Sequence, residues 1–132
     1  MSGPQEQEAR VWEPEVLRSL EEQLGNAGRT MAEEIVALYL SQGRVLVDRL
    51  RAAAEAPDTV TLRDVAHSLR GSTLTVGGAR LATLCELIEA TERPDEAQDA
   101  ARAVPREFEM LADQLAGRAR ADSSSTSQGG VR

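Results

Sequence analysis

The sequence contains no lysine: all 15 of its cationic residues are arginine. It has one cysteine, one histidine and three aromatic residues, Trp12, Tyr39 and Phe108. Each shortage excludes something. A single thiol, Cys85, cannot close an internal disulfide, so a reducing, cytoplasmic setting is expected. With so few rings, the core has to come from Leu, Val, Ile and Ala, a mixture that suits closely packed helices better than a β-sandwich. No apolar run approaches the roughly 20 residues of a membrane helix, and no basic-then-apolar leader opens the chain, so no membrane association is expected. The net charge of −7 lacks the basic excess of a general nucleic-acid binder. Alternating strand patterns and internal repeats are missing. So is a glycine-rich phosphate loop, which argues against self-phosphorylation from ATP.

What is there is helical periodicity. The length of 132 residues suits one domain. Residues 1–12 carry no periodicity and read as a flexible start, with Trp12 placed to fold back onto Val16 or Leu17 as a hydrophobic staple. A first helix begins near Pro14, a good first-turn residue, and stops at Gly25-Asn26. A second runs from about Thr30 to Ala56, with the apolar stripe Met31, Ile35, Leu38, Val45, Leu46 and Leu50 interrupted at Gln42 and Gly43. Pro57 ends it, and Asp58 or Thr59 can cap the next helix. The third, about Val60 to Val76, buries Leu62, Val65, Ala66, Leu69, Thr73 and Val76, and Gly77-Gly78 closes it. The fourth, about Ala79 to Thr91, buries Leu81, Leu84, Cys85 and Ile88. A fifth, about Glu96 to Arg118, carries Ala100, Val104, Phe108, Leu111 and Leu115. Pro105 inside it predicts a kink or a short break. The Ser- and Gly-rich residues 120–132 read as a disordered tail. Short connections make neighbouring helices antiparallel. The predicted fold is therefore all-α: residues 13–119 form an up-down four-helix bundle with an extra N-terminal capping helix.

The third helix keeps a second stripe outside the core: Arg63, His67, Arg70, Gly71 and Leu74, which fall on one face. The stripe is basic in an acidic chain. A phosphoryl group on His67 would carry roughly two negative charges, and Arg70, one turn on, can meet it with a planar, permanently charged fork. Arg63 stands one turn before. A nucleophilic imidazole must be neutral, with one nitrogen free and the other protonated. A carboxylate accepting that proton would fix the tautomer and stabilise the charge that develops on attack. The fourth helix offers Glu89 and Glu86, and periodicity does not choose between them. Glycine in mid-helix costs about 1 kcal/mol against alanine. Gly71, beside the only histidine and a cation, reads as a bare floor for a partner, which the small Ser72-Thr73 pair extends.

The stretch Ala66-His67-Ser68-Leu69-Arg70-Gly71-Ser72-Thr73, with Gly77, Leu81, Cys85, Glu86 and the close at Ile88-Glu89, resembles the histidine-containing phosphotransfer (HPt) domain. The family pattern reads roughly Ala-His-x-Leu-Lys-Gly-Ser-Ser, followed by a glycine and a helix with a Leu-x-x-x-Cys stripe. The resemblance spans about Val16 to Leu115. It implies that His67 is the phosphoacceptor, that Arg70 stands at the family's phosphoryl-holding lysine, that Gly71 admits the partner, and that Glu89 takes the position that hydrogen-bonds the ring. Arginine for lysine keeps the charge and changes reach and geometry; in a chain without lysine it is no sign of lost function.

The expected function is that of a phosphorelay intermediate in two-component signalling. His67 takes a phosphoryl group from a receiver-domain aspartate, or from a hybrid histidine kinase, and passes it to a response-regulator aspartate. Such a protein is a stoichiometric carrier without autokinase activity. It binds no cofactor or metal of its own, Mg²⁺ being expected on the partner receiver. Arg63, Gly71 and Leu74 are the expected docking surface of a weak, transient interface. A solvent-facing histidine needs no dimer, so a monomer is expected. The alternative is a non-catalytic module of the same fold that binds a receiver or histidine kinase as scaffold or inhibitor. A generic helical adaptor would leave the histidine-glycine face unexplained.

Overall fold

The structure, a computed structural model, describes residues 9–131, with side chains described as far as Arg118. Its elements are α1 (Pro14–Leu24), a single 3₁₀ turn (Gly25–Ala27), α2 (Gly28–Glu55), α3 (Thr59–Val76), α4 (Ala79–Ala90) and α5 (Pro94–Val131). No strand occurs among the described residues. Helices α2 to α5 form a ring in which each packs on its chain neighbours and α5 closes onto α2. The cross-helix partners set the directions. Arg44 of α2 bonds Glu109 of α5 at 2.6 Å, while Arg51 and Ala54 share a groove with Ala101 and Pro105. Likewise Arg80 of α4 bonds Glu107 of α5 at 3.0 Å, and Thr91, just beyond α4, bonds Glu96. Neighbours are antiparallel, and the fold is the expected up-down bundle.

Helix α1 is the extra element. It lies at the end where α2 begins and α3 finishes, with Leu17 fully buried and Glu21 paired to Arg118 of α5. Residues 1–8 of the expected flexible start lie outside the described residues. The remainder of that start is docked. Arg80 N donates to Arg10 O at 2.9 Å, Glu13 N to Gly77 O at 2.7 Å, and Trp12 Nε1 to Val76 O at 2.9 Å. Trp12 therefore anchors the end of α3 as well as packing on the core. In the segment read as a tail, the α5 backbone is helical to Val131, and its side chains beyond Arg118 lie outside the described residues.

Two further expectations change. The inward face of helix α2 is shifted from the expected stripe: Leu50 is buried and Ile35 and Leu46 pack against the core as expected, but Ala32, Tyr39, Gly43, Val47, Ala53 and Ala54 are buried too, whereas Met31, Leu38 and Val45 are exposed. The reason is the fit to α5. A Cβ on Gly43 would stand 2.7 Å from Phe108 Cε1, so glycine is the seat of the largest buried ring and not a gap in the stripe. Tyr39 packs on the same ring, with centroids 5.7 Å apart. Helix α5 in turn has no break at Pro105. Proline there removes one backbone donor, and the buried Ala101, Val104 and Phe108 around it hold the helix together.

Candidate functional site

Helix α3 is fixed at both ends and along one face. Asp58 caps its start, Oδ1 accepting from Thr61 N at 3.1 Å and Oδ2 from the Thr61 hydroxyl at 2.6 Å. Gly77 ends it in the left-handed region (φ 89°), a conformation that glycine adopts without penalty. Leu62, Val65, Ala66, Leu69, Thr73 and Val76 are all buried, as the periodicity predicts. Thr73 satisfies its hydroxyl on Tyr39 Oη at 2.7 Å. That buried stripe sets the rotation of the helix and leaves His67, Gly71 and Leu74 on the outer face. Helix α4 is oriented the same way by Leu81, Ala82, Cys85 and Ile88. Glu89, next to Ile88, consequently stands at the α3–α4 groove.

Glu89 joins two residues of α3 with its two oxygens. His67 Nδ1 lies 2.8 Å from Oε1, and Arg70 Nε donates to Oε2 at 2.6 Å. An ionised carboxylate only accepts hydrogen bonds. The Nδ1 contact therefore places a ring hydrogen on Nδ1, so that in a neutral ring the lone pair is on Nε2. The His67 side chain is 69% exposed; Arg70 and Glu89 retain 31% and 21%. Burial raises the proton affinity of Glu89, but the hydrogen bonds from Arg70 and His67 outweigh it and hold the carboxyl below its ordinary value. The same bond pushes Arg70 further toward its charged form, with Glu86 adding a weaker attraction. Cys85, one turn from Glu89, is buried, and burial pushes its thiol up to about 12, so it is neutral.

These features describe an imidazole held through Nδ1 and open to solvent, beside a guanidinium with unused donors. The Hpt domain family model matches residues 34–118. The chain belongs to the Hpt family. Hpt proteins serve phosphotransfer in two-component signalling, as carriers and not as ATP-dependent kinases. The bundle is also similar to the crystal structure of histidine-containing phosphotransfer protein B (HptB) from Pseudomonas aeruginosa PAO1. The TM-score is 0.72 at 23% identity, over 86% of this chain and 97% of that one. Compared with the curated proteins, the chain has no match.

Within this Hpt fold the expected site residues divide. His67, Arg70 and Glu89 come together; Glu86 is exposed and makes no contact with the ring. Gly71 is exposed, and a Cβ there would meet nothing within 4 Å. Leu74 is 50% exposed on the same face. Arg63 does not turn toward His67: its Nη2 donates to Thr91 O at 2.9 Å, closing the end of α4 two residues after Glu89. Leu38, 56% exposed, was assigned to the core stripe by periodicity. It lines a shallow groove with Ile35, Gln42, Ser72 and Thr75 next to the Gly71–Leu74 turn. Its exposure follows from the turned face of α2, which the Gly43–Phe108 fit would have disclosed. No cluster of three or more metal-ligating side chains exists among the described residues, and none of their helices is long and apolar enough to cross a membrane.

Proposed function

We propose that this protein is a monomeric phosphorelay intermediate, which accepts a phosphoryl group on His67 Nε2 from a receiver-domain aspartate, or from a kinase, and returns it to a response-regulator aspartate. The observation that carries the reading is the Nδ1–Glu89 bond on an exposed ring, which leaves Nε2 as the free nucleophile. Attack by Nε2 on phosphorus expels the donor aspartate. Arg70 stays on Glu89 through Nε, and its two terminal nitrogens are free to meet the equatorial phosphoryl oxygens. Mg²⁺ would be held by the receiver and would supply counter-charge for the phosphoryl group. The receiver docks over Gly71, Leu74 and the Leu38 groove. Burial of this apolar strip supplies the contact, and the charges set its registry.

The test exploits the single histidine. Incubation with a radiolabelled phospho-receiver should give an acid-labile, base-stable label that His67→Gln abolishes. Label surviving in His67→Gln refutes the site. No label on the wild type, from a receiver competent on another carrier, favours the non-catalytic binding module.

A further inference from the structure

Attack by a ring already protonated at Nδ1 yields a phosphoimidazolium. The Nε2 lone pair forms the P–N bond, the P–O bond to the donor aspartate breaks, and the aspartate leaves with that electron pair as a carboxylate. No proton moves, and the ring gains one positive charge. In onward transfer the acceptor carboxylate attacks phosphorus and the P–N pair returns to Nε2, regenerating the neutral ring with its Nδ1 hydrogen. If the phosphorylated ring instead loses the Nδ1 proton, onward transfer has to expel an imidazolate anion, a far poorer leaving group. Whatever governs that proton therefore governs how readily the phosphoryl group is given up.

Resting on the phosphoacceptor reading, we propose that Glu89 is a positioning residue that keeps the Nδ1 proton on the phosphorylated ring, so that phospho-His67 stays a phosphoimidazolium poised to donate. The geometry supports a charge effect beyond orientation. Oε1 lies 2.8 Å from Nδ1, and Arg70 anchors Oε2 at 2.6 Å, so the carboxylate cannot swing away without breaking both bonds. Opposite charge at this distance favours the protonated ring. The other charged residues within one helical turn of His67 on α3 or of Glu89 on α4 are Arg63, Asp64, Arg70 and Glu86. Arg63 is committed to Thr91 O, and the α2 residues along the neighbouring groove, Ile35, Leu38, Tyr39 and Gln42, are uncharged. Cys85 is neutral. Arg70 opposes Glu89 here, because its cation disfavours a second positive charge on the ring. The two residues thus act on phospho-His67 with opposite signs while bonded to each other.

A neutral amide at position 89 accepts the same hydrogen bond without the charge, so Glu89→Gln separates orientation from proton retention. The full-length protein would be phosphorylated with phosphoramidate, a small N-phosphoryl donor that needs no partner, and its single imidazole followed by nitrogen NMR against pH. The wild-type phospho-ring should lose its proton at a pH at least about one unit higher than the ring in Glu89→Gln. In the alkaline range the variant should then donate to a receiver about tenfold more slowly, one unit corresponding to a tenfold change in the protonated fraction. Glu89→Ala, which removes the charge and the hydrogen bond together, should also lower the midpoint, and it carries the test if Glu89→Gln fails to fold. Phosphohistidine that titrates alike in wild type and Glu89→Gln, or a midpoint unchanged or raised in Glu89→Ala, overturns the inference and leaves the phosphoacceptor intact. No phosphohistidine on the wild type overturns the phosphoacceptor reading itself.

Discussion

Replacing Gly71 should make the protein more stable and less active at once. Gly71 lies inside α3, where glycine is unfavourable by about 0.5–1 kcal/mol relative to alanine because it loses more backbone freedom on folding. Any other residue usually has to find room, but here a Cβ meets nothing within 4 Å. No packing penalty offsets the gain. Gly71→Ala should therefore raise the unfolding free energy by about 1 kcal/mol, which for a domain of this size is a rise of about 3–6 °C in Tm. Gly71→Gln should gain slightly less, since glutamine is a good but lesser helix former. If the bare turn is the floor on which a receiver sits, the longer side chain stands between the two proteins. Transfer from a phospho-receiver should then fall by at least about tenfold, corresponding to about 1.4 kcal/mol of lost docking. Phosphorylation by phosphoramidate, a donor too small to feel the obstruction, should be unchanged. Circular dichroism melting and a two-donor labelling assay measure both arms. A lowered Tm would show strain at Gly71, against the open space around it. A raised Tm with undiminished receiver transfer would remove Gly71 from the docking surface.

Other substitutions separate the site from its support. Arg63→Ala should free the C-terminal end of α4 and cost about 1 kcal/mol through the lost bond to Thr91 O; transfer should fall with either donor, and Arg63→Lys should restore part of it. Equal rates in Arg63→Ala would show that Glu89 needs no such anchor. Tyr39→Phe should lower stability by about 1–2 kcal/mol, because the buried Thr73 hydroxyl loses its partner, yet leave the transfer rate alone; a slowed rate would tie that core bond to the chemistry. The acid limb of stability should report Glu89. Its carboxyl is held below the ordinary 4.5, so its bonds stabilise the fold above that pH and fade as pH falls through the lowered value. Glu89→Gln should flatten this part of the unfolding curve, and an unaltered acid limb would contradict the shift.

How far the site was legible depended on which helix carried the information. In α3 and α4 the apolar positions recur at regular helical intervals, and the expected buried residues are the observed ones, except that in α4 Leu84 is only partly buried and Ala82, which was not expected, is buried. That regularity placed His67, Gly71 and Leu74 on the outer face. The choice of Glu89 over Glu86 was not in the periodicity, since both flank the buried stripe; the family resemblance favoured Glu89, and the geometry places it on the ring. In α2 the pattern misled. Met31, Leu38 and Val45 are large and apolar, and the small Gly43 that faces Phe108 of α5 carries little hydropathy signal. What buries it is a close helix approach around Phe108, a pairwise fit that no single-helix periodicity contains. The bond that Arg63 makes was hidden for a related reason. The residue's position on α3 was right, but its long side chain reaches across to a carbonyl that only the packed neighbour supplies.

The division of labour across α3 explains why one acidic helical bundle can hold a reactive ring in water. On the α4 side everything is fixed: Ile88 and Cys85 lock the helix that carries Glu89, Arg63 closes its end, and Glu89 then immobilises both His67 and Arg70. Orientation is settled before any partner arrives, so little ordering is left for the reactive step. On the α2 side nothing is committed. Gly71, Leu74 and Leu38 stay open, and a partner's surface can close over them. Substitutions on the first side should therefore slow phosphorylation by every donor, including phosphoramidate, whereas those on the second should slow only protein donors. Leu74→Ala, which removes exposed apolar surface without touching Glu89, belongs to the second group. If it slowed phosphoramidate as much as a receiver, the two sides would be coupled through α3 and would not act separately.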